Sequence, residues 1–278
     1  MSTLLPTIAF LGAGSMARAI LSGLLQPGVS VEGIRATNRS SEKTAELAEL
    51  DGVTAFATSD DPEANRRAVA GAKIVVVAVK PAMVPDLLRE IADALEPGTV
   101  VVSVAAGVTV ATFESLLPEH VAVIRSMPNT PAVVGRAVTG VSAGTRSTAD
   151  DLALAVSLFE TVGSVLVIPE EQIDALSTIS GSGPAYVFLL IEQLTAAAMN
   201  KGFTREQARV MVEGTFRGAS ELLAASDDEP AELRRRVTSP KGTTERAIAV
   251  LEAADLTQLF DAATDAALAR ARELAAGA

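Results

Sequence analysis

The sequence predicts an α/β protein in which an N-terminal Rossmann-type, doubly wound sheet is followed by an all-α C-terminal domain. Up to Ile168, short apolar runs typical of strands alternate with longer segments that carry helical patterns. From Pro169 onward only helical patterns appear. A chain of 278 residues is also long for a single hydrophobic core, so we expect two domains, residues 1–168 and 169–278.

Six apolar runs in the first domain have the length and composition of strands. One of them, Ile74–Val79, is β-branched almost throughout, as a strand covered on both faces requires. Helical segments separate most of these runs, and such alternation indicates a parallel sheet. The predicted strands are Ile8–Leu11, Ile34–Thr37, Ile74–Val79, Val100–Ser103, Val121–Ile124 and Val165–Ile168. The predicted helices are Met16–Leu25, Glu42–Leu50, Val84–Leu95 and Ala149–Thr161.

In the second domain, the segment Pro184–Met199 is apolar nearly all round, which indicates a helix that must be covered on most sides. The other helices in residues 169–278 are too few to cover it, so the sequence predicts packing between subunits, with a homodimer as the minimal unit. A monomeric helical bundle core is the alternative. Gly214 and Gly218 lie inside a predicted helix and cost about 1 kcal/mol each relative to Ala, which close helix–helix approach would explain.

The composition argues against several classes of partner and chemistry. A net charge of −11, with 3% aromatic residues and no Trp, argues against nucleic-acid binding. The chain has no cysteine and one histidine, His120, which we expect in a solvated loop, so no metal site is predicted. Residues 1–6 carry no basic region, and Glu192 interrupts the most apolar segment. We therefore predict no signal peptide, no membrane partner and a cytoplasmic location.

A glycine-rich turn directly follows the first predicted strand and opens the first predicted helix. Its sequence, Gly12-Ala13-Gly14-Ser15-Met16-Ala17, is G-x-G-x-x-A in the context that dinucleotide binding requires. Gly12 permits the tight turn, Gly14 lets backbone approach a pyrophosphate, and Ala17 lets the helix pack closely. The free N–H groups of the helix start then face the phosphates. A turn selected for packing alone is the alternative.

The end of the second predicted strand indicates which nucleotide is preferred. NAD enzymes usually place an acidic residue there to bind the ribose 2′-hydroxyl. This chain instead has Asn38, Arg39 and Ser40. Because Arg39 can form charge-assisted contacts with a 2′-phosphate, we predict that NADPH is preferred and that NAD is possible. The alternative is a solvent-facing Arg39.

Several further segments resemble the pyrroline-5-carboxylate reductases, from about Ile8 to about Leu274 and in that family's order. Met127-Pro128-Asn129-Thr130-Pro131 and Ser180-Gly181-Ser182-Gly183-Pro184-Ala185-Tyr186 are far more specific than the glycine turn. Phe10–Gly14, Ala78–Pro81, Ser103–Val108 and Thr238–Thr244 complete the set.

The resemblance implies an oxidoreductase acting on a CH–NH group. Members of the family reduce 1-pyrroline-5-carboxylate to L-proline with NAD(P)H, which is the last step of proline biosynthesis. The resemblance also implies pairing through the C-terminal helices, so residues 169–278 are expected to serve substrate binding and dimerisation. Some members build pentamers of dimers.

The resemblance carries over a set of site residues. The expected cofactor contacts are Leu11, Gly12, Ala13, Gly14, Ser15, Met16, Asn38, Arg39, Ser40, Ala78, Val79, Lys80, Pro81, Ala105, Ala106 and Gly107. The expected substrate loop contains Ser239, Gly242, Thr243 and Thr244.

Thr244 is the residue expected to act in catalysis. Its hydroxyl could hydrogen-bond the ring nitrogen of the substrate, orient it and relay a proton. The backbone N–H groups of Gly242, Thr243 and Thr244 would open a helix and form an anion site suited to the substrate carboxylate. Simple capping of that helix by Thr243 is the alternative.

One position departs from the family pattern. Lys241 stands where the family usually has glycine, and glycine adopts a positive φ far more readily than lysine does. Either the loop needs no positive φ there, or its geometry has shifted. Two other functions therefore stay open: a non-catalytic NADPH-binding sensor or scaffold, and a β-hydroxyacid dehydrogenase-like reductase. The second fits poorly, because no lysine lies well inside a predicted C-terminal helix; Lys201 lies at a helix end.

Overall fold

A computed structural model describes residues 4–275 of the chain, with side chains through residue 273. The described residues divide into two compact units. The first contains the chain up to Gly181 together with the helical residues from Leu268, and the second is Ser182–Ala267. The predicted domain boundary at residue 168 stays a prediction. The outermost residues of both predicted domains, 1–3 and 276–278, lie outside the described part.

The first unit is built on a central sheet of eight strands. Its strands are β2 (Ile8–Leu11), β4 (Ile34–Asn38), β5 (Val53–Ala57), β6 (Ile74–Val77), β7 (Val100–Ser103), β8 (Ala122–Met127), β9 (Ala137–Ala143) and β10 (Gly163–Val167). Their order across the sheet is β10-β9-β8-β7-β6-β2-β4-β5. Two short strands, β1 (Leu4–Leu5) and β3 (Ser30–Val31), pair separately.

All six predicted strands are present in the large sheet, and sequence reasoning missed two strands of that sheet, β5 and β9, as well as the short pair β1 and β3. Strand β9 runs antiparallel to β8, while every other neighbouring pair in the large sheet is parallel. Strand β9 has an interrupted apolar pattern because Gly140 faces the side chain of Leu176. A Cβ on Gly140 would lie 2.8 Å from Leu176 Cδ1, so packing rather than β-propensity selects this residue.

Seven helices follow the strands of the first unit. They are α1 (Ser15–Leu24), α2 (Ser41–Ala48), α3 (Ala64–Val69), α4 (Val84–Ile91), α5 (Val110–Leu116), α6 (Ala149–Glu160) and α7 (Ile173–Leu176). Successive strand residues point to opposite faces of the sheet, so Phe10 packs with α1 and α6 while Leu11 packs with α3, α4 and α5. This two-sided core confirms the predicted doubly wound Rossmann-type architecture.

The second unit is entirely helical, as predicted. It contains α8 (Gly183–Asn200), α9 (Arg205–Ala224), α10 (Pro230–Arg236), α11 (Thr243–Glu252) and the first part of α12 (Leu256–Ala275). Thr204 and Gln207 form a capping box at the start of α9, which fixes where that helix begins. None of the helices in the described part of the chain is long and apolar enough to cross a membrane.

Helix α8 leaves its apolar side chains largely uncovered within one chain. No residue of α8 is buried, and Phe188 and Leu189 are 61% and 54% exposed. Gly214 and Gly218 on α9 have nothing within 4 Å of a built Cβ, so the close helix approach that would explain them does not occur within the chain. These observations favour the predicted intersubunit packing over a self-contained monomeric bundle.

The turn before α11 settles the question raised by Lys241. Lys241 has a φ of 63°, and the Gly242 N–H donates to the Ser239 carbonyl at 3.0 Å. With Pro240 at the second position, this is a turn that demands a positive φ at its third residue. Lysine adopts here the left-handed conformation that glycine would adopt without strain.

We expect Thr139→Val to stabilise the protein. Among the described residues, Thr139 Oγ1 is the one buried side-chain oxygen or nitrogen that lacks a hydrogen-bond partner. Valine has the same shape and removes an unsatisfied hydroxyl, so the free energy of unfolding should rise by about 1 kcal/mol. Denaturant unfolding at fixed protein concentration measures the change. Thr139→Ser is the control, because it keeps the hydroxyl and loses a methyl group. A valine variant no more stable than the wild type would contradict this account.

We expect Lys241→Val and Lys241→Gly to change stability in opposite directions. A β-branched residue adopts a positive φ poorly, so Lys241→Val should lower the free energy of unfolding by about 1 kcal/mol or more. Lys241→Gly relieves about 1–2 kcal/mol of strain but adds unfolded-chain entropy, which leaves a gain below about 1 kcal/mol. Denaturation midpoints test the ranking. Equal midpoints for the two variants would show that the turn does not constrain this residue.

Candidate functional site

The predicted cofactor residues gather along one edge of the sheet. Strands β7, β6, β2 and β4 are adjacent and parallel, so their carboxyl ends meet at the same edge. The four predicted segments follow these ends directly. In open α/β sheets, this edge is where ligands bind. The fold therefore unites four segments that are far apart in sequence.

The glycine turn fits closely against the segment that follows β6. Gly12 has a φ of 85°, and a Cβ there would lie 2.7 Å from Val79 Cγ1 and 3.1 Å from the Val79 nitrogen. Its N–H donates to Thr37 Oγ1 at 3.2 Å, and the Ala13 N–H donates to the Thr37 carbonyl at 2.8 Å. No other residue type fits at Gly12 without moving its neighbours.

The start of α1 supplies the N–H groups that a pyrophosphate needs. Gly14 is the N-cap of α1, no side chain caps the helix, and no acidic residue lies in its first turn. The N–H groups of Ser15, Met16 and Ala17 therefore have no acceptor among the described residues and stand at the positive end of the helix. Gly14 and Ser15 are also exposed. This chemistry fits a dinucleotide phosphate.

Three predicted cofactor residues are placed differently from the others. The side chains of Leu11, Ala13 and Ala105 are buried in the core, so only their backbone is available at the edge of the sheet. The Leu11 carbonyl accepts a hydrogen bond from the Ala78 N–H at 2.9 Å, which joins the ends of β2 and β6. Lys80 is exposed, and Pro81 begins a short 3₁₀ helix after it.

The end of β4 is anchored to the glycine turn. Asn38 Nδ2 donates to the Ala13 carbonyl at 3.0 Å, while its Oδ1 accepts from the Ser40 N–H at 3.2 Å. Ser40 is the N-cap of α2. The exposed Arg39 guanidinium makes no hydrogen bond or ion pair within residues 4–275. Arg39 is thus left available for an anionic ligand, as the sequence predicts.

Serine side chains connect the next two strand ends. Ser126 Oγ donates to the Ser103 carbonyl at 2.6 Å, and Ser103 Oγ accepts from the Ala105 N–H at 3.2 Å. Both serines are buried. They hold the loop that begins at Ala105, in which Ala106 is exposed and Gly107 has a φ of 74°.

Two motifs quoted for the family resemblance meet at the end of β8. Asn129 Nδ2 donates to the Ser180 carbonyl at 2.8 Å, and its Oδ1 accepts from the Val138 N–H at 2.9 Å. Ser180 lies in a π-helical turn, Ser177–Gly181, a geometry that is frequent at functional sites. Asn129 is therefore fully engaged in holding two backbone segments together.

An ion-pair cluster around a buried arginine lies beside that turn, and sequence reasoning missed it. The Arg125 guanidinium is 4% exposed and pairs with Glu170 and Asp174. Glu170 also accepts from the Val110 N–H at 2.7 Å. The available signal was two carboxylates four residues apart, Glu170 and Asp174, at the start of the helical region.

The predicted substrate loop lies in the second unit. One part of the prediction, the role of the Gly242 N–H, is wrong. The Gly242 N–H was expected to bind an anion, but it donates to the Ser239 carbonyl, because the turn closes on itself. Gly242 is the N-cap of α11 and has no room for a side chain, since a Cβ would lie 2.9 Å from the Ser239 carbonyl oxygen.

The start of α11 still offers free N–H groups. Those of Thr243 and Thr244 have no acceptor within the part of the chain that the structure describes, and no side chain caps the helix. The alternative in which Thr243 caps α11 is therefore wrong. Thr244 is half-buried, and its hydroxyl has no assigned hydrogen-bond partner. Glu245 instead accepts from the Lys241 N–H at 2.9 Å, which stabilises the turn.

No candidate metal centre is present among the described residues, since no three His, Asp or Glu side chains could hold an ion there.

Comparison with known proteins adds independent information. Residues 170–274 match the family model for pyrroline-5-carboxylate reductase dimerisation, and residues 7–107 match that for NADP oxidoreductase, coenzyme F420-dependent. A pyrroline-5-carboxylate reductase of Pseudomonas aeruginosa is 42% identical over 97% of both chains. One of Corynebacterium melassecola is 37% identical over 96% of this chain and 98% of the relative.

Solved structures agree with these relatives. A pyrroline-5-carboxylate reductase structure from Coxiella burnetii has a TM-score of 0.89 and 40% identity, over 96% of this chain and 97% of that one. A Plasmodium falciparum pyrroline carboxylate reductase with NADP bound has a TM-score of 0.79 at 24% identity, which supports the fold alone. The Pseudomonas and Corynebacterium relatives, at 42% and 37% identity, match over nearly the whole chain. The chain therefore belongs to the pyrroline-5-carboxylate reductase family.

Proposed function

We propose that this chain reduces 1-pyrroline-5-carboxylate to L-proline with NAD(P)H, the last step of proline biosynthesis, in the cytoplasm. The observation that carries the proposal is the open start of α11, where Thr243 and Thr244 present free N–H groups in a member of this family. A carboxylate is the anion that the substrate offers to such a site. NADPH is the preferred cofactor and NADH is a possible one.

The cofactor would be held by the residues at the carboxyl edge of the sheet. The N–H groups of Ser15, Met16 and Ala17 suit its pyrophosphate, and Arg39 suits a 2′-phosphate. When bound, NADPH supplies the hydride that reduces the C=N bond. Because Gly12 and Val79 pack so closely, the turn holds its shape before any ligand arrives, which lowers the entropic cost of binding.

The substrate would be held by the loop before α11. The N–H groups of Thr243 and Thr244 bind its carboxylate, and the Thr244 hydroxyl contacts the ring nitrogen. Because the Gly242 N–H is used within the turn, the loop contacts the substrate through Ser239, Thr243 and Thr244. Gly242 allows the chain to turn. Thr244 orients the nitrogen and passes a proton when the substrate arrives unprotonated. Catalysis by these residues is mainly positioning.

The sensor alternative rested on Lys241, and the structure weakens it. Lys241 has a positive φ and the Ser239–Gly242 hydrogen bond closes the turn, so lysine is compatible with this turn. A direct assay separates the two functions: NADPH oxidation is followed with racemic pyrroline-5-carboxylate. An enzyme turns over many equivalents. A sensor binds NADPH without oxidising it, and that result would end the proposal.

The working assembly would be at least a homodimer formed through residues 170–274, the region that matches the dimerisation model. Apolar side chains of α8, α9 and α12 are exposed in the single chain and suit this role, among them Phe188, Val210 and Leu259. A pentamer of dimers is the larger assembly that we propose to test for. No nucleic acid or membrane takes part in this proposal.

We expect Thr244→Ala to lower kcat at least tenfold while the Kd for NADPH stays unchanged, because the hydroxyl acts on the substrate and not on the cofactor. Steady-state kinetics and NADPH titration provide the two measurements. Thr244→Ser should restore most of the activity. Thr145→Ala, which removes an exposed hydroxyl bonded to Glu114, is the matched control. Wild-type kinetics for Thr244→Ala would remove the role assigned to this hydroxyl.

We expect Arg39→Asp to shift the preference from NADPH towards NADH by about 10-fold or more, because it replaces an attraction for the 2′-phosphate with a repulsion. The ratio of kcat/KM for the two cofactors measures the shift. Arg89→Asp makes the same charge change on α4 and serves as the control. A retained NADPH preference would show that Arg39 does not reach the phosphate.

We expect Phe188→Glu to weaken the assembly, because a carboxylate would replace a ring that is 61% exposed in the single chain. Light scattering over a dilution series should show dissociation at higher protein concentration than in the wild type. Met83→Glu places the same charge on an exposed apolar residue of the first unit and is the control. If the two variants dissociate alike, α8 is not part of the interface.

A further inference from the structure

A polar cluster lies next to the predicted 2′-phosphate residues. Ser41 begins α2 directly after Ser40, and Ser59 follows the end of β5. The Ser59 N–H donates to the Arg39 carbonyl at 3.2 Å, so the loop after β5 is joined to the loop after β4. In this fold, the end of the second strand of the βαβ unit meets the 2′ position of the adenine ribose. The cluster is therefore beside the part of the site that distinguishes NADPH from NADH.

A carboxylate occupies the centre of this cluster. The hydroxyls of Ser41 and Ser59 donate to Asp60 Oδ1 at 2.8 Å and 2.7 Å, and their own oxygens are 3.2 Å apart. All three side chains are exposed. Two hydroxyls that could donate to a phosphate are thus engaged by an internal anion. Hydroxyls of this kind bind phosphate oxygens readily when they are free.

The charge of Asp60 is present at neutral pH. Hydrogen bonds from Ser59 and then from Ser41 hold the pKa of Asp60 below its ordinary value. The neighbouring Arg39 has no counter-ion within the described residues, so Asp60 and Arg39 would act on a 2′-phosphate with opposite signs. Because both side chains are exposed, water weakens their interaction with the phosphate, and added salt weakens it further.

We propose that Asp60 is a specificity-determining residue that limits the preference for NADPH. Its carboxylate engages Ser41 and Ser59 and repels a 2′-phosphate, while a 2′-hydroxyl carries no charge to be repelled. Arg39 raises the affinity for the phosphorylated cofactor, and Asp60 lowers it. The chain thereby keeps appreciable use of NADH. This inference rests on the proposed use of NAD(P)H.

Binding of two cofactor fragments tests the inference without turnover. Isothermal titration gives the Kd of ADP-ribose and of 2′-phospho-ADP-ribose for the wild type and for Asp60→Asn. The variant should bind the phosphorylated fragment about 5-fold more tightly, and ADP-ribose should bind as before. The gain should shrink as salt is raised from low to physiological concentration. Adding Ser59→Ala to Asp60→Asn should remove part of this gain in affinity. The Ser59 hydroxyl, once it no longer donates to the Asp60 carboxylate, would be free to donate to the phosphate.

Asp51→Asn is the matched control. Asp51 is exposed, carries the same charge and precedes β5, so it lies at the opposite end of that strand from Asp60. Thermal unfolding of each variant confirms that it is folded. The inference would be overturned if Asp60→Asn changed the Kd of both fragments equally or changed neither Kd. It would also be overturned if Asp51→Asn gave the same gain in affinity for the phosphorylated fragment. Failure of the wild type to bind either fragment would overturn the proposed cofactor use, and this inference with it.

Discussion

Strands β2 and β6 end side by side, and the segments that follow them meet at the contact between Gly12 and Val79. This contact governs the shape of the cofactor edge, the carboxyl edge of the sheet where the predicted cofactor residues lie. A side chain on Gly12 would collide with both the side chain and the backbone of Val79. Without that approach, the Leu11 carbonyl could not accept from the Ala78 N–H, and the turn would lose its support. The free N–H groups at the start of α1 are held in position because the turn beneath them is packed this tightly.

The same edge is extended by side chains that bond backbone rather than ligand. Asn38, Ser126 and Asn129 each join two segments that are distant in sequence, and Ser103 ties the end of β7 to the loop that follows it. Polar groups of this kind are buried or half-buried, so each must be satisfied within the protein. They keep the loops in place, which leaves exposed groups such as Arg39 and the α1 N–H groups free to contact the cofactor.

The second unit differs from the first in how its apolar side chains are covered. Its helices expose apolar side chains that a stable monomer would cover, and its region matches a dimerisation model. The loop before α11 is nevertheless well determined within one chain, by the Ser239–Gly242 turn and by Glu245 bonding the Lys241 N–H. Local hydrogen bonds therefore shape the predicted substrate loop, while the surrounding helices require a partner to bury their surface.

The sequence by itself determined the doubly wound sheet, the helical C-terminal region and the segments that form the cofactor edge, because period, glycine turns and capping residues are local properties. Tertiary structure decided what depends on contacts between distant residues. It added β9 as an antiparallel strand, engaged the Gly242 N–H, paired Arg125 with Glu170 and Asp174, and joined the loop that carries Ser59 and Asp60 to the Arg39 carbonyl. No local pattern reports these features, since each arises only when separate parts of the chain meet.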